Sequence, residues 1–280
     1  MPSWNIHIAQ TERLLARGGA VARVVADRNA FLFGNLVPDI FVGYMVPGVT
    51  RPIPYRVTHF AKPEPIPKPR EAEFWRVYVA PLAAELGVSP RRPVADPLPA
   101  ASIVAERDAM NRVHYPARYA DEASGVEAAV ASARASDPAP TAAEVRRSAF
   151  DLTLGAWAHL LADNLWNTRV NEYLDAHGGK PGEEFRIKKQ GDFDWFGKTL
   201  RIVSVPRATE RLFAAAEAFP QYPIGRRYVL ETIGVTHEIV RTNGGEPDHP
   251  AYRLLTDAFF DATLNEVLDA TDAAVAERLA

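Results

Sequence analysis

His159 and Asp163 stand four residues apart in Leu154-Gly-Ala-Trp-Ala-His-Leu-Leu-Ala-Asp-Asn-Leu-Trp166, a stretch otherwise made mainly of Leu, Ala and Trp. At that spacing both side chains lie on one face of a helix. Imidazole nitrogen and carboxylate oxygen are ligands that a zinc ion accepts. With apolar neighbours on every side, the pair is expected in the interior. A buried polar group needs a partner there, and a metal ion is one way to provide it. The plainer alternative is an intrahelical hydrogen bond between the two.

Seven other histidine and carboxylate positions sort by context. His114, His177 and His249 lie beside Pro, Gly or Asp in predicted turns and read as exposed, and His237, next to Glu238, reads as a structural histidine within a helix. His7, between Ile6 and Ile8, and His59, before Phe60, share the apolar setting of His159. So does Asp39, between Pro38 and Ile40-Phe41-Val42. Ionised carboxylates among apolar neighbours are costly unless charge compensates them, and a divalent cation compensates two at once. Taken singly, Asp39 also reads as a helix cap and His59 as a core histidine. Taken together, His7, Asp39, His59, His159 and Asp163 form a candidate set of metal ligands.

The elements that must position them read as helices. One helix is expected over Ile8–Arg17, stopped by Gly18-Gly19, and a second runs to about Phe33, where Gly34 breaks it. Gly34-Asn-Leu-Val-Pro-Asp39 reads as a loop, because Pro38 biases Val37 away from helix. Residues 46–70 are Pro-rich and extended, with Lys62–Arg70 resembling a polyproline strap. Helix returns over Glu71–Gly87, and a Pro-rich link follows at 90–99. Residues 101–136 read as helical with a break at Tyr115-Pro116, then a surface linker at 136–140. Thr141-Ala-Ala-Glu144 is a capping box that starts the longest helix, which ends near His177 at Gly178-Gly179. Further helices are expected near 191–203, 207–218, 225–242 and 249–278. The fold class is therefore all-α: one multi-helical domain over residues 1–280, built around a long central helix.

Composition narrows the chemistry. The chain has 280 residues and no cysteine, which excludes disulfides, thiolate metal sites and thiol nucleophiles. Any transition metal must be held by His, Asp, Glu, backbone or water, and the same donors suit iron, manganese and nickel as well as zinc. A net charge of −3 gives no reason to expect nucleic acid as a partner. The start, Met1-Pro-Ser-Trp-Asn-Ile-His7, lacks the basic segment and apolar core of a signal peptide, and no apolar run spans a membrane. The expected location is the cytoplasm.

The order of these elements carries a resemblance. Trp4 and His7, then Gly34-Asn-Leu-Val-Pro-Asp39, then Thr58-His-Phe60, then Gly155-Ala-Trp-Ala-His-Leu-Leu-Ala-Asp163, resemble the zinc-dependent phospholipase C family. The match covers about residues 1–200 and is nearest to the uncharacterised bacterial proteins of that group. The secreted zinc nucleases that cut single strands share the arrangement. The resemblance implies that Asp39, His59, His159 and Asp163 hold a first ion. Asp163 then bridges to a second, with His7 and the chain's amino group as further ligands. Removal of Met1 would make that group the secondary amine of Pro2, with Trp4 packed over the site. The pattern also departs from the characterised enzymes, which carry a further histidine soon after this motif and then a His-x-x-x-Glu or Asp pair. Here Arg169 stands six residues after Asp163, His177 is followed by Pro181 and His237 by Arg241, so the third metal position is unmade.

What the resemblance implies for function is phosphoester hydrolysis by metal-activated water, with one or two zinc ions and with Asp39 and Asp163 as the catalytic carboxylates. Asp39 serves as general base where the metal does not claim it. Asn35, Arg169 and Lys189 are the expected substrate contacts. Asp192, in Lys188-Lys-Gln-Gly-Asp-Phe193, reads as a ligand or general base, or else as a helix N-cap. The partner would be a small phosphoester or a phospholipid head group. The competing reading is a non-catalytic helical scaffold whose metal is structural or a relic, since four protein ligands close a zinc site while catalysis needs an open position.

Overall fold

The computed structural model describes residues 2–62, 68–88, 139–178, 182–245, 247 and 249–279. The expectations for the link at 90–99, the helical stretch 101–136, His114, and parts of the 62–70 strap and the 136–140 linker lie outside those residues. Among the described residues the fold is all-α. No strand is present, only an isolated bridge between Ala61 and Pro69. No described helix is long and apolar enough to cross a membrane.

In chain order the helices are α1 (Trp4–Ala16), α2 (Ala20–Val24), α3 (Arg28–Gly34), α4 (Val37–Ile40), α5 (Tyr55–Thr58) and α6 (Glu71–Phe74). A widened π turn, Trp75–Val79, leads into α7 (Ala80–Leu86). It sits just before Pro81, whose missing N–H would break a regular ladder there. Then come α8 (Ala142–His177), α9 (Glu183–Thr199), α10 (Glu210–Glu217), α11 (Arg226–Thr242) and α12 (Asp257–Arg278).

α8 organises the fold. Its 36 residues begin at the expected capping box. The Thr141 N–H donates to Glu144, and the Glu144 N–H donates back to the Thr141 hydroxyl. It ends at Gly178, whose φ of +69° is left-handed. From Ser148 to Asp163 every residue is buried, so this segment is packed on all sides rather than on one face. A single apolar core joins it to α1, α3, α10, α11 and α12. At the far end of the chain, Arg278 and the Trp157 indole both bond to Glu71, tying the last helix to the centre.

α3 and α8 pack backbone against backbone. A Cβ added to Gly34 would lie 2.1 Å from the Leu152 carbonyl oxygen, and one added to Gly155 would lie 2.3 Å from that of Phe31. Only glycine lets two backbones meet at this distance. Gly34 is thus a packing contact as well as the last residue of its helix.

Several expectations change: the stretch 46–70 read as extended contains the turn α5, the last helix starts at Asp257 rather than near 249, and α1 starts at Trp4 rather than Ile8. The second helix is in fact two, α2 and α3, separated at Val25–Asp27, where the Asp27 carboxylate caps α3 by accepting from the Ala30 N–H. The stretch read as a loop at 34–39 contains the single turn α4, with Pro38 in its first turn, where the lost N–H has no intrahelical partner anyway. α9 runs over Glu183–Thr199 rather than 191–203. It starts eight residues early, in a polar segment that shows little helical periodicity.

Candidate metal centre

His7, Asp39, His59, His159 and Asp163 converge on one point, as the residue types and their context led one to expect. His7, His59, His159 and Asp163 are fully buried, and Asp39 is 4% exposed. They come from α1, α4, the end of α5 and the middle of α8. Two overlapping triads, Asp39–His59–His159 and His7–His159–Asp163, bring their ligand atoms within 4.8 Å of one another. The cluster can hold a metal ion.

The geometry follows from how each side chain is held. His159 Nδ1 lies 2.7 Å from the Asn35 carbonyl oxygen. A carbonyl only accepts, so Nδ1 carries the proton and Nε2 of the neutral ring is bare. The glycine crossing places Asn35, one residue beyond Gly34, against this turn of α8. His59 Nδ1 lies 2.8 Å from the Thr58 hydroxyl, which gives its own proton to the Tyr55 carbonyl at 3.3 Å. His59 Nδ1 must therefore donate, and its Nε2 is bare as well. The turn beyond it is fixed by Phe60, whose φ of +52° is rare for a side chain of that size. Arg70 bonds the Phe60 carbonyl through both its N–H and its Nε and lies over the Phe60 ring.

The two bare nitrogens, His59 Nε2 and His159 Nε2, face each other at 3.3 Å. No proton is left to place between them. Around them stand Asp39 Oδ1, 3.3 Å from His59 Nε2, and Asp163 Oδ2, 3.6 Å from His59 Nε2 and 3.7 Å from His159 Nε2. Zinc–ligand bonds of about 2.0–2.1 Å in a tetrahedron put neighbouring ligand atoms about 3.3–3.4 Å apart. Four of the six edges are therefore close to what a single ion needs. On the other side of Asp163, Oδ1 lies 3.6 Å from His7 Nε2, too far for a hydrogen bond. That oxygen, Asp39 Oδ1 and both ring nitrogens of His7 are buried without a hydrogen-bond partner.

Electrostatics agrees with the tautomers. Burial holds His59 and His159 below the usual histidine range, and so favours neutral rings. Burial works against ionising Asp39 and Asp163, but it is outweighed. The nearby His59 and His159 rings hold Asp39 below the usual carboxylate range. His159 and His7 do the same for Asp163. Two buried negative charges beside neutral rings favour a cation. Lys189 is buried and close enough to feel Asp163, while desolvation lowers its pKa.

The remaining expected site residues divide. Trp4 does pack at the site and does more, since its indole N–H donates to Asp39 Oδ2 at 3.0 Å. Asp39 therefore has one oxygen tied to Trp4 and the other aimed at the centre, which suits a ligand better than a free general base. Asn35 works through its backbone carbonyl. Its side-chain amide donates back to Phe31, so it is a holder of His159 rather than a substrate contact. Arg169 is not a substrate contact either: its guanidinium is taken by Glu266 and Glu172. Asp192 is neither ligand nor N-cap of its own helix. It lies within α9, and its buried carboxylate accepts the backbone N–H groups of Arg253, Leu254 and Leu255 at 2.8–2.9 Å. Two residues take roles here that were not assigned to them from the sequence. Thr58 tethers His59, and Tyr55 stacks on the His59 ring at 3.7 Å and donates to Asp163 Oδ2 at 3.3 Å. Tyr55 lies four residues before His59, a spacing that puts both on one helical face. Of the histidines read as exposed, His177 and His249 are exposed, while His237, read as structural, is buried in α11.

Comparison of the chain with known protein families, with curated proteins and with solved structures finds no match.

Proposed function

We propose that this chain is a metal-dependent phosphoester hydrolase of the kind its motifs resemble, zinc-dependent phospholipase C, with zinc as the ion. The observation that carries the reading is the pair of unprotonated Nε2 atoms, 3.3 Å apart, between two buried carboxylates. A divalent ion bound there lowers the pKa of a coordinated water and neutralises phosphate charge. Asp39, His59 and His159 serve as ligands, and Asp163 presents one oxygen to them and the other to His7. Lys189 contributes a buried cation on the Asp163 side. The substrate class is a small phosphoester or a phospholipid head group.

A second reading, a structural ion in a helical scaffold, is favoured by the complete burial of four of the five ligands. Four protein ligands close a tetrahedral site and leave no place for substrate. One experiment separates the two. Purified protein and His159→Ala are analysed for bound metal, then assayed on bis(p-nitrophenyl) phosphate and p-nitrophenyl phosphate with and without chelator. Metal-bearing wild type with chelator-sensitive turnover, and a variant lacking both, supports the hydrolase. Metal without turnover on either substrate supports the scaffold. Wild-type metal content that survives His159→Ala refutes the site itself.

A further inference from the structure

Each of four ligands has its own hydrogen-bond tether: Asn35 for His159, Thr58 for His59, Trp4 for Asp39 and Tyr55 for Asp163. Three tethers are fully buried, whereas Tyr55 is only half-buried. Tyr55 also differs in what it constrains. A carboxylate oxygen has two acceptor positions. On Asp163 Oδ2 the Tyr55 hydroxyl occupies one, and the other points toward His59 Nε2 and His159 Nε2. Oδ1 is left for the His7 side, where it has no hydrogen-bond partner.

We propose that Tyr55 is a positioning residue that holds Asp163 as a bridge, one oxygen to each of two ion positions, and thereby makes the second position available. For Asp163 to chelate one ion with both oxygens, the carboxylate must turn about its axis. That turn pulls Oδ2 away from the phenol. The Tyr55 ring cannot follow, because it is stacked on His59 at an interplanar angle of 20°. The proposal rests on the reading of this cluster as a metal centre.

The test is a titration of metal-free full-length protein with Zn2+ by calorimetry, and with Co2+ by visible absorption, for wild type, Tyr55→Phe and Thr58→Val. Phenylalanine keeps the stacking ring and removes only the hydroxyl. Wild type is expected to take up two ions in two steps. Tyr55→Phe should keep the first step within a few-fold and weaken the second by about 10- to 100-fold, the usual cost of losing a group that orients a ligand. Thr58→Val removes the tether of His59, a ligand of the first position only, and should weaken the first step instead. That crossing pattern is one that general destabilisation does not produce, and the retained first step shows that Tyr55→Phe is folded. Equal losses in both steps for Tyr55→Phe, or none in either, overturn the proposal. A wild type that binds one ion overturns the bridge but leaves the metal centre standing. A wild type that binds none removes the metal centre itself.

Discussion

The Trp4 indole N–H donates to Asp39 Oδ2 at 3.0 Å across 35 residues of chain. Trp4 is the first residue of α1 and His7 lies one turn further along the same helix, so α1 both supplies one candidate ligand and aims another. Trp4→Phe keeps most of the buried ring and removes the donor. A buried hydrogen bond to a charged group is worth about 1.5–3 kcal/mol, and a group that orients a ligand is worth about 10-fold or more in metal affinity. The variant should lose both, read as a lower melting temperature of the metal-free protein and a weaker zinc isotherm. An unchanged isotherm would show that Asp39 is aimed by packing alone.

Asp192 gives the opposite expectation. Its carboxylate gathers three backbone N–H groups of the 253–255 segment. Removing it leaves three backbone donors without their acceptor, only that of Leu255 on a buried residue, so Asp192→Ala should cost about 1–3 kcal/mol in denaturant unfolding. Bound metal per folded chain should not change. Loss of metal from folded Asp192→Ala would restore it as a ligand.

Acid should weaken the metal-free protein in a defined interval. An unfolded histidine takes up a proton near 6.5, whereas His59 and His159 resist protonation to lower pH because they are buried. Between those values the unfolded chain binds more protons, so stability falls as pH drops. Asp39 and Asp163, held below 3.8, add their own loss only beneath that value. Melting temperature after chelation should be flat above about pH 7 and fall steadily from about 6.5 downward. A melting temperature that rises on acidification through that interval would contradict neutral rings.

The glycine crossing links packing to the site. Gly155→Ala pushes a methyl into the Phe31 carbonyl and lies 3.0 Å from the Asn35 nitrogen. Neither contact is a flexible side chain that can move away. Overpacking of this kind costs about 1–3 kcal/mol. Because Asn35 holds His159, the variant should also lose metal affinity although it touches no ligand. A variant that is destabilised yet binds zinc normally would uncouple the crossing from the centre.

Local chemistry made much of this legible. The Thr141–Glu144 capping box and the Gly178 stop bound α8 correctly because helix ends are decided by a few neighbouring groups. The five candidate ligands stood out because a His or Asp among apolar residues must be satisfied somewhere. What stayed hidden depended on partners distant in sequence. Gly34 looked like a helix stop, and nothing local says that its missing side chain makes room for Leu152. Asp192 looked available for chemistry, although its partners lie more than sixty residues away. Arg169 was read without Glu266, 97 residues distant. Tyr55 sat in a Pro-rich stretch read as extended, so its helical spacing to His59 had no meaning until α5 was seen.

The ligands are not seated in equally durable structure. His159 and Asp163 belong to a stretch of α8 that is buried at every residue, whereas Tyr55 and His59 belong to a single turn whose Arg56 and Val57 are exposed. Local opening free energies run from near zero at frayed segments to the global value in the core. The α5 turn is therefore expected to open before α8 does, and to be the side from which an ion reaches the centre. On this view an ion's residence time is set by how often four residues unwind, not by how often the protein unfolds.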